Sequence, residues 1–397
     1  MVYILIISFV PIFLALGFLQ IAISAWLVTI GFTPVEVGIL ISAQGIAVIV
    51  TSIPLGIVSD VYGRRFLLIL GNLVGALALL VFALTLDFWP LLWASIALGF
   101  AEGASVTTWN ALLADLTDPP HRNRIFSLSF VMINVTTGIG LALPGVFPVL
   151  QTAIGISSYS IHRTTLSVLG AASFVSPLMF FLLLRNLKET HNPGRKWSGL
   201  KNMGTMVRLG IVAGTIGFGA GFIIPLVGTW FLFRFGVGDD FSGPILALSN
   251  ILIGFSAVAS PRLATRFGQM RAILLTTGSS MLFMLSMAFI PVFAVAAAVY
   301  VVRSALMNMA GPLIDSFSMS IFPPEQRGVV SALSNITFRL PNSLSTYFGG
   351  VILGIGLLEF PFYIASGFYI VGLVAFYLFF VASKRFQSEY EKSGAAS

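Results

Sequence analysis

The chain has 397 residues, of which 57% are apolar and only 9% charged. Soluble domains carry about 25% charged residues, so this composition argues against a solvated globular surface, and against disorder, which needs low hydrophobicity. With no cysteine, a disulfide scaffold, a thiolate metal site and a thiol nucleophile are all excluded.

The apolar runs are long, whereas a spanning β-barrel shows short alternating segments. The expected fold class is therefore an all-α membrane protein. A spanning helix needs ~20 residues, so twelve use roughly 240 and leave ample chain for loops. In chain order, helices are expected over 3–30, 35–60, 66–86, 90–115, 123–150, 164–186, 205–234, 241–263, 271–290, 292–319, 328–355 and 360–383. Breakers separate most of them: Thr33-Pro34, Asp87 to Pro90, Pro119-Pro120, Asn192-Pro193-Gly194, Ser242-Gly243-Pro244, Pro323-Pro324 and Glu359 to Pro361. The shortest connection is the turn near Pro291. The first segment lacks a basic leading region and a small-residue cleavage site, so it reads as a spanning helix and not as a signal peptide.

Lys and Arg sort by loop parity. One set of loops holds Arg64, Arg65, Arg122, Arg124, Arg185, Lys188, Arg195, Lys196, Lys201, Arg208, Arg262, Arg266, Arg271 and Arg327, and the tail adds Lys384, Arg385 and Lys392. The other set holds only Arg163 and Arg234. Positive residues stay on the cytoplasmic side, so both termini and the 185–208 loop are expected there, in a multi-pass protein of the plasma membrane. The net charge of +7 is thus a topology signal. Dispersed basic residues without an aromatic-interleaved stripe do not point to nucleic acid.

The halves repeat at a nearly constant offset. Gly17-Phe18 recurs as Gly221-Phe222, Trp26 as Trp230 and Pro119-Pro120 as Pro323-Pro324, each 204 residues on. Gly38 recurs as Gly243 and Gly63 as Gly268, 205 residues on. The expected organisation is a six-helix bundle over 1–186, a linker over 187–204, a second six-helix bundle over 205–383, and a tail over 384–397. Repeats of this kind mark secondary transporters, with the substrate site near mid-membrane between the halves.

The loop after helix 2 reads Gly56-Ile-Val-Ser-Asp60-Val-Tyr-Gly63-Arg64-Arg65. It resembles the signature loop of the major facilitator superfamily: a Gly, three residues, an Asp, two residues, then Gly and two basics. The second-half equivalent, from Pro261-Arg262 to Gly268, has Thr265 where the acid would stand. The 114–124 and 321–328 loops also resemble the superfamily's matched loops, so the likeness covers nearly the whole chain. It implies two pseudo-symmetric six-helix bundles with cytoplasmic termini, helices 1, 4, 7 and 10 lining a cavity, and this loop latching the outward-facing state. Physically, Gly56 is expected to allow close helix approach, Gly63 a tight turn, and Asp60 a charge within reach of Arg64 or Arg65. Asp115 with Arg122 and Arg124 reads as a further structural or gating cluster at the membrane edge. Drug–proton exporters of the superfamily often carry an Arg in helix 4; the stretch Ser95–Gly103 contains none. Their glycine-rich helix 5 pattern is matched only loosely, by Gly138, Gly140 and Pro144-Gly145.

Ionisable groups inside a membrane are costly and mark function by default. Glu102 lies about twelve residues into helix 4, so ~18 Å along it. Arg303 has a similar depth in helix 10, and Arg339 a central position in helix 11. Asp315 sits in the inner half of helix 10. A carboxyl group held away from water can exchange a proton near neutral pH. Glu102 is therefore the leading proton-coupling candidate and Asp315 the second; the structural alternative for each is an ion pair with an Arg. With helices 4 and 10 both lining the cavity, Glu102 and Arg303 are expected to face each other. Arg303 and Arg339 could bind an anionic or zwitterionic substrate, or belong to a buried ion-pair network. Gln20, Ser24, Thr107, Thr108, Asn110, Asn134, Thr137 and Asn308 are neutral polar candidates, and Trp109 and Trp230 aromatic ones. Isolated Asn or Thr in membrane helices more often bonds a neighbouring helix than a substrate.

The histidines, His121, His162 and His191, read as residues of loops or helix ends without metal-ligand spacing. Nucleotide-binding and hydrolase signatures are absent. The expectation is a monomeric secondary transporter without cofactor, metal site or enzymatic activity, whose partners are a small-molecule substrate, protons and the lipid bilayer. Proton-coupled export of drug-like or amphiphilic compounds leads, because 36 Phe and 12 Met imply much apolar lining. Proton-coupled uptake of an organic anion or zwitterion is the alternative. A transporter-like receptor or lipid-moving protein without ion coupling is the alternative class.

Overall fold

The computed structural model describes residues 2–118, 121–186, 203–322 and 327–383; within these, the side chains of 60, 61, 123, 254–259, 315, 319–320, 327–329 and 331–332 are not described. Among the described residues there is no strand. Twelve long helical stretches follow in order: α1 Val2–Thr29, α2 Pro34–Tyr62, α3 Arg64–Leu84, α4 Phe88–Asp115, α5 Arg124–Ile154, α6 Ser158–Leu184, α7 Met203–Phe235, α8 Asp239–Phe267, α9 Gln269–Met287, α10 Phe293–Ile321, α11 Arg327–Gly354 and α12 Phe360–Val381. Among the described residues, ten helices are long and apolar enough to cross a membrane; α8 and α11, with 29 and 28 residues, are not among these ten.

The expected breakers act as physical chemistry requires. Thr33 caps α2 in a reciprocal box: its hydroxyl accepts from Glu36 N–H at 3.2 Å, and the Glu36 carboxylate accepts from Thr33 N–H at 2.8 Å. The turn near Pro291 is present, with α9 ending at Met287 and α10 starting at Phe293. Among the boundaries that differ from expectation are two around the fifth and sixth helices. The fifth helix runs on to Ile154, and the sixth starts at Ser158 rather than 164. Ser157 starts α6 early, because its hydroxyl accepts from Ser160 N–H at 3.2 Å. The polar stretch SYSIHR is therefore helical, and His162 lies inside α6.

By compactness the chain forms two units. The first is Met1–Arg195 with Val227–Ile251; the second is Lys196–Leu226 with Leu252–Ser397. In the first unit α2 and α3 pack on α4, and α1 packs on α5 and α6. The later part of α7 packs on α1 there. In the second unit the earlier part of α7 packs on α11 and α12, and α9 packs on α10 and α12. The 187–202 segment and the tail from 384 lie outside the described residues.

The repeat appears as geometry. A Cβ on Gly17 would collide with the Thr137 carbonyl, and one on Gly221 with the Asn342 carbonyl. These are the same backbone approach, α1 to α5 and α7 to α11, made once in each unit. Gly63 and Gly268 end α2 and α8 with φ +95° and +79°, a conformation L side chains rarely adopt. Gly31 and Gly236 do the same after α1 and α7, at +111° and +67°.

Gly56 does not behave as expected. Among the described residues nothing lies within 4 Å of a Cβ built there, so it mediates no close approach. On α4 that role falls to Gly99, against the Gln44 carbonyl and Ala47, and to Gly103, against Thr51 and the Val48 carbonyl. Trp89 and Trp93, at the start of α4, are 69% and 68% exposed, as interfacial aromatics are.

These contacts predict a contrast measurable by thermal unfolding in detergent. Gly17→Ala and Gly221→Ala should each cost about 1–3 kcal/mol, because backbone must move to admit the methyl group. Gly56→Ala should be neutral or gain up to ~1 kcal/mol from helix propensity. Equal melting of all three variants would contradict the packing.

Candidate functional site

The signature loop is built around Gly63, whose φ of +95° turns the chain from α2 directly into α3. That turn places Arg64 beside the end of α4. Arg64 pairs with Asp115 and also donates to the Ala111 carbonyl at 3.2 Å. Arg65 donates to the Arg185 carbonyl at the end of α6, at 2.7 Å. Arg122 donates from Nε to the Thr117 carbonyl at 3.2 Å. The structure thus brings Arg64 and Asp115 together as one cluster. Asp60 is on α2, but its side chain lies outside the described residues. The Arg64 and Asp115 side chains are 30% and 58% exposed. Such a pair contributes at most about 1 kcal/mol, so it can break during a conformational change at little cost.

Glu102 is half-buried on α4 between Gly99 and Gly103, which both abut α2. Asp315 is on α10 with its side chain outside the described residues. Arg303 is 4% exposed within the second unit. It donates to the Tyr369 hydroxyl at 2.8 Å, and its backbone carbonyl accepts from Ser280 at 3.1 Å. Its Nε has no hydrogen-bond partner among the described residues. Arg339 on α11 is exposed, as are Gln20 on α1 and Asn110 on α4. Glu102 and Arg303 belong to different units.

The neutral polar candidates mostly bond their own helices. Asn134 donates to the Phe130 carbonyl and Asn308 to the Ser304 carbonyl, each at 2.8 Å. Thr107 donates to the Gly103 carbonyl at 3.0 Å, and Thr108 to the Ala104 carbonyl at 2.6 Å. Back-bonding of this kind satisfies a polar group in lipid without any neighbour. Trp109 instead crosses to α5, donating to Ser129 at 2.8 Å, with its ring against Phe9. Trp230 is fully buried and packs on Phe231 and Phe235 at 5.3 Å.

Sequence reasoning missed one arrangement altogether. At the start of α6, His162 is 2% exposed and meets Asp239, the first residue of α8. The distance from Nε2 to the carboxylate is 2.6 Å. The Nδ1 atom is 2.6 Å from the Ser158 carbonyl. Trp26 stacks on the ring at 4.7 Å with an interplanar angle of 1°, and Phe147 meets it edge-on at 4.8 Å. Glycines let the chain close here: Gly243 abuts the Leu141 carbonyl, Gly145 abuts Pro244 and Gly228 abuts Ser24. Thr229 on α7 donates to the Ser24 carbonyl. The available signals were the Asp239-Asp240 dyad opening a helix and the Ser157 cap that draws His162 into α6. Among the described residues no group of His, Asp and Glu could hold a metal ion.

Comparison with known proteins places this architecture. The family model of the Major Facilitator Superfamily matches residues 5–346. Comparison with curated protein sequences gives no match. Among solved structures, the chain is similar to a bacterial homolog of the human lysosomal transporter Spinster in its inward-facing, occupied conformation. The TM-score is 0.72 at 15% identity, over 100% of this chain and 96% of that one. It is also similar to a point mutant of the nucleoside transporter NupG, with TM-score 0.70 at 16% identity, over 94% and 98%. A third is the human organic anion transporter MFSD10, with TM-score 0.62 at 15% identity, over 94% and 98%. With the same glycine approach made once in each unit and a family match over most of its length, the chain belongs to the major facilitator superfamily.

Proposed function

We propose that this protein is a proton-coupled secondary transporter of a small organic solute, working by alternating access. The observation that carries the reading is the repeated backbone contact, Gly17 on Thr137 and Gly221 on Asn342. It repeats one helix–helix approach, α1 to α5 and α7 to α11, as a transporter built from two similar halves would. In this reading twelve helices cross the plasma membrane, with both termini in the cytoplasm, as the parity of Lys and Arg requires. The Arg64–Asp115 cluster then lies at the cytoplasmic edge and acts as a gate that a rocking motion can break and remake.

Glu102 serves as the coupling site. It is half-buried at mid-helix, between glycines that press α4 onto α2. Asp315 is the second acid of the pathway. Export of amphiphilic compounds is the direction we favour, given the apolar character of the helices and the own-helix bonding of Asn134, Asn308, Thr107 and Thr108. Fewer hydroxyl and amide groups are then free for a sugar-like solute. Uptake of an organic anion or zwitterion is a second reading, favoured by Arg303, which is buried with its Nε lacking a partner among the described residues.

In proteoliposomes, Glu102→Gln should abolish pH-driven flux while leaving substrate exchange intact. Surviving pH-driven flux would remove Glu102 from the coupling role. A thermal-shift screen against organic acids, amino acids, sugars and cationic dyes should show stabilisation by amphiphilic compounds. For the second reading, an organic acid should stabilise the protein, and Arg303→Ala should remove that stabilisation. No shift with any anion, or an unchanged shift in the variant, would end that reading.

A further inference from the structure

Arg303 is a buried charge whose own unit brings no carboxylate to it. It lies inside α10, is 4% exposed, and takes part in neither of the salt bridges found among the described residues. The acids of the second unit are Asp315, Glu325, Glu359, Glu389 and Glu391. Asp315 follows Arg303 on α10 by about twelve residues, so ~18 Å along the helix. Glu359 precedes Tyr369 by about ten residues, so ~15 Å along α12. Glu325, Glu389 and Glu391 lie outside the described residues. A cation held away from water and from any anion is costly.

What surrounds the guanidinium is a set of donors. Its Nε has no hydrogen-bond partner among the described residues. Nη2 donates to the Tyr369 hydroxyl at 2.8 Å. That hydroxyl accepts there, so its own hydrogen remains to be donated. Nε and Nη2 share one edge of the planar guanidinium, which puts the Tyr369 hydroxyl beside the free Nε–H. Ser366 is 3% exposed, and its Oγ also has no partner among the described residues. Ser366 stands one turn before Tyr369, on the stripe of α12 that meets α9 and α10. Further along that stripe, the Leu373 side chain lies 3.9 Å from a Cβ built on Gly278 of α9, and Phe376 meets Phe317 of α10 at 5.8 Å. From α9, the Ser280 hydroxyl is already spent on the Arg303 carbonyl.

We infer that Arg303, Tyr369 and Ser366 form a binding site inside the second unit for a small inorganic anion of the halide class. The ion neutralises the guanidinium, accepts from Nε and from the two hydroxyls, and ties α12 to α10. A water molecule completes the hydrogen bonds but leaves the charge uncompensated. The three residues are at most 4% exposed, so a monatomic ion suits them better than a ligand with a carbon chain. In the second reading above, Arg303 meets a transported organic acid; the resident ion is independent of that reading, of the topology and of Glu102.

The test is a melting experiment on the purified full chain in detergent, in which sodium chloride replaces sodium gluconate at constant pH and ionic strength. The melting temperature should rise and saturate, by about 4 °C once chloride exceeds its midpoint tenfold. Bromide should act as chloride does. Arg303→Met should abolish the rise. Ser366→Ala, which removes one buried hydroxyl, should move the chloride midpoint upward roughly tenfold, and it serves if Arg303→Met does not fold. No saturable rise, the same rise in Arg303→Met, or an unchanged midpoint in Ser366→Ala would each overturn the site. The organic acids of the screen above are melted alongside. Stabilisation by an acid without any response to chloride keeps the second reading and overturns the halide site; a chloride response lost in Arg303→Met, without any response to acids, does the reverse.

Discussion

In a bilayer, helices gain nothing from hiding apolar surface from one another, since lipid tails are equally apolar. What holds two helices together is how closely their backbones can approach. Here that constraint is met by glycines without room for a methyl group. Gly17 and Gly140 let α1 and α5 touch along their backbones, and Gly217, Gly221 and Gly349 do the same for α7 and α11. The α4–α2 seam at Gly99 and Gly103 sets the surroundings of Glu102. The α8–α5 seam at Gly243 and Gly145 carries Asp239 to His162.

Two ion contacts illustrate how position decides what a charge does. Arg64 and Asp115 meet at a partly exposed edge, where water offsets most of their attraction. Such a pair suits a contact that must open and close. His162 and Asp239 meet almost without water, with side chains 2% and 9% exposed. There little water competes for the hydrogen bond between them. Arg303 is a third case: a cation held by a phenol and a ring face, with the Tyr369 ring 6.0 Å from its guanidinium carbon.

Much of the fold was legible because membrane helices announce themselves. Long apolar runs, proline and glycine breakers and the twin offsets located the helices to within a few residues. The signature loop was legible because Gly63 must adopt positive φ and Arg64 must follow it. Gly56 was misread because small residues favour close packing only when a neighbour is present. The start of α6 was misread because its polar composition looks like a loop, while the Ser157 cap makes it helical. The His162–Asp239 pair could not be read from sequence at all: its members are 77 residues apart, on α6 and α8. The neutral polar candidates look like lining residues on a helical projection, yet Asn134 and Asn308 spend their amides on their own helices.

Helix α1 is not regular along its whole length. Over Ala22–Trp26 the helix widens into a π turn, which accommodates one extra residue per turn. That residue rotates everything beyond it by about 100° relative to a regular helix. Gly17 and Phe18 lie before the wide turn and Trp26 at its end, so the indole points where it does because of angular phase. A regular α1 keeping Gly17 on Thr137 would aim residue 26 well away from the imidazole. The wide turn also leaves the Ser24 carbonyl open to the Thr229 hydroxyl. A one-residue change in helical phase thus decides which aromatic surface covers the histidine, and shortening or lengthening α1 by a single residue there would alter that surface without touching either seam.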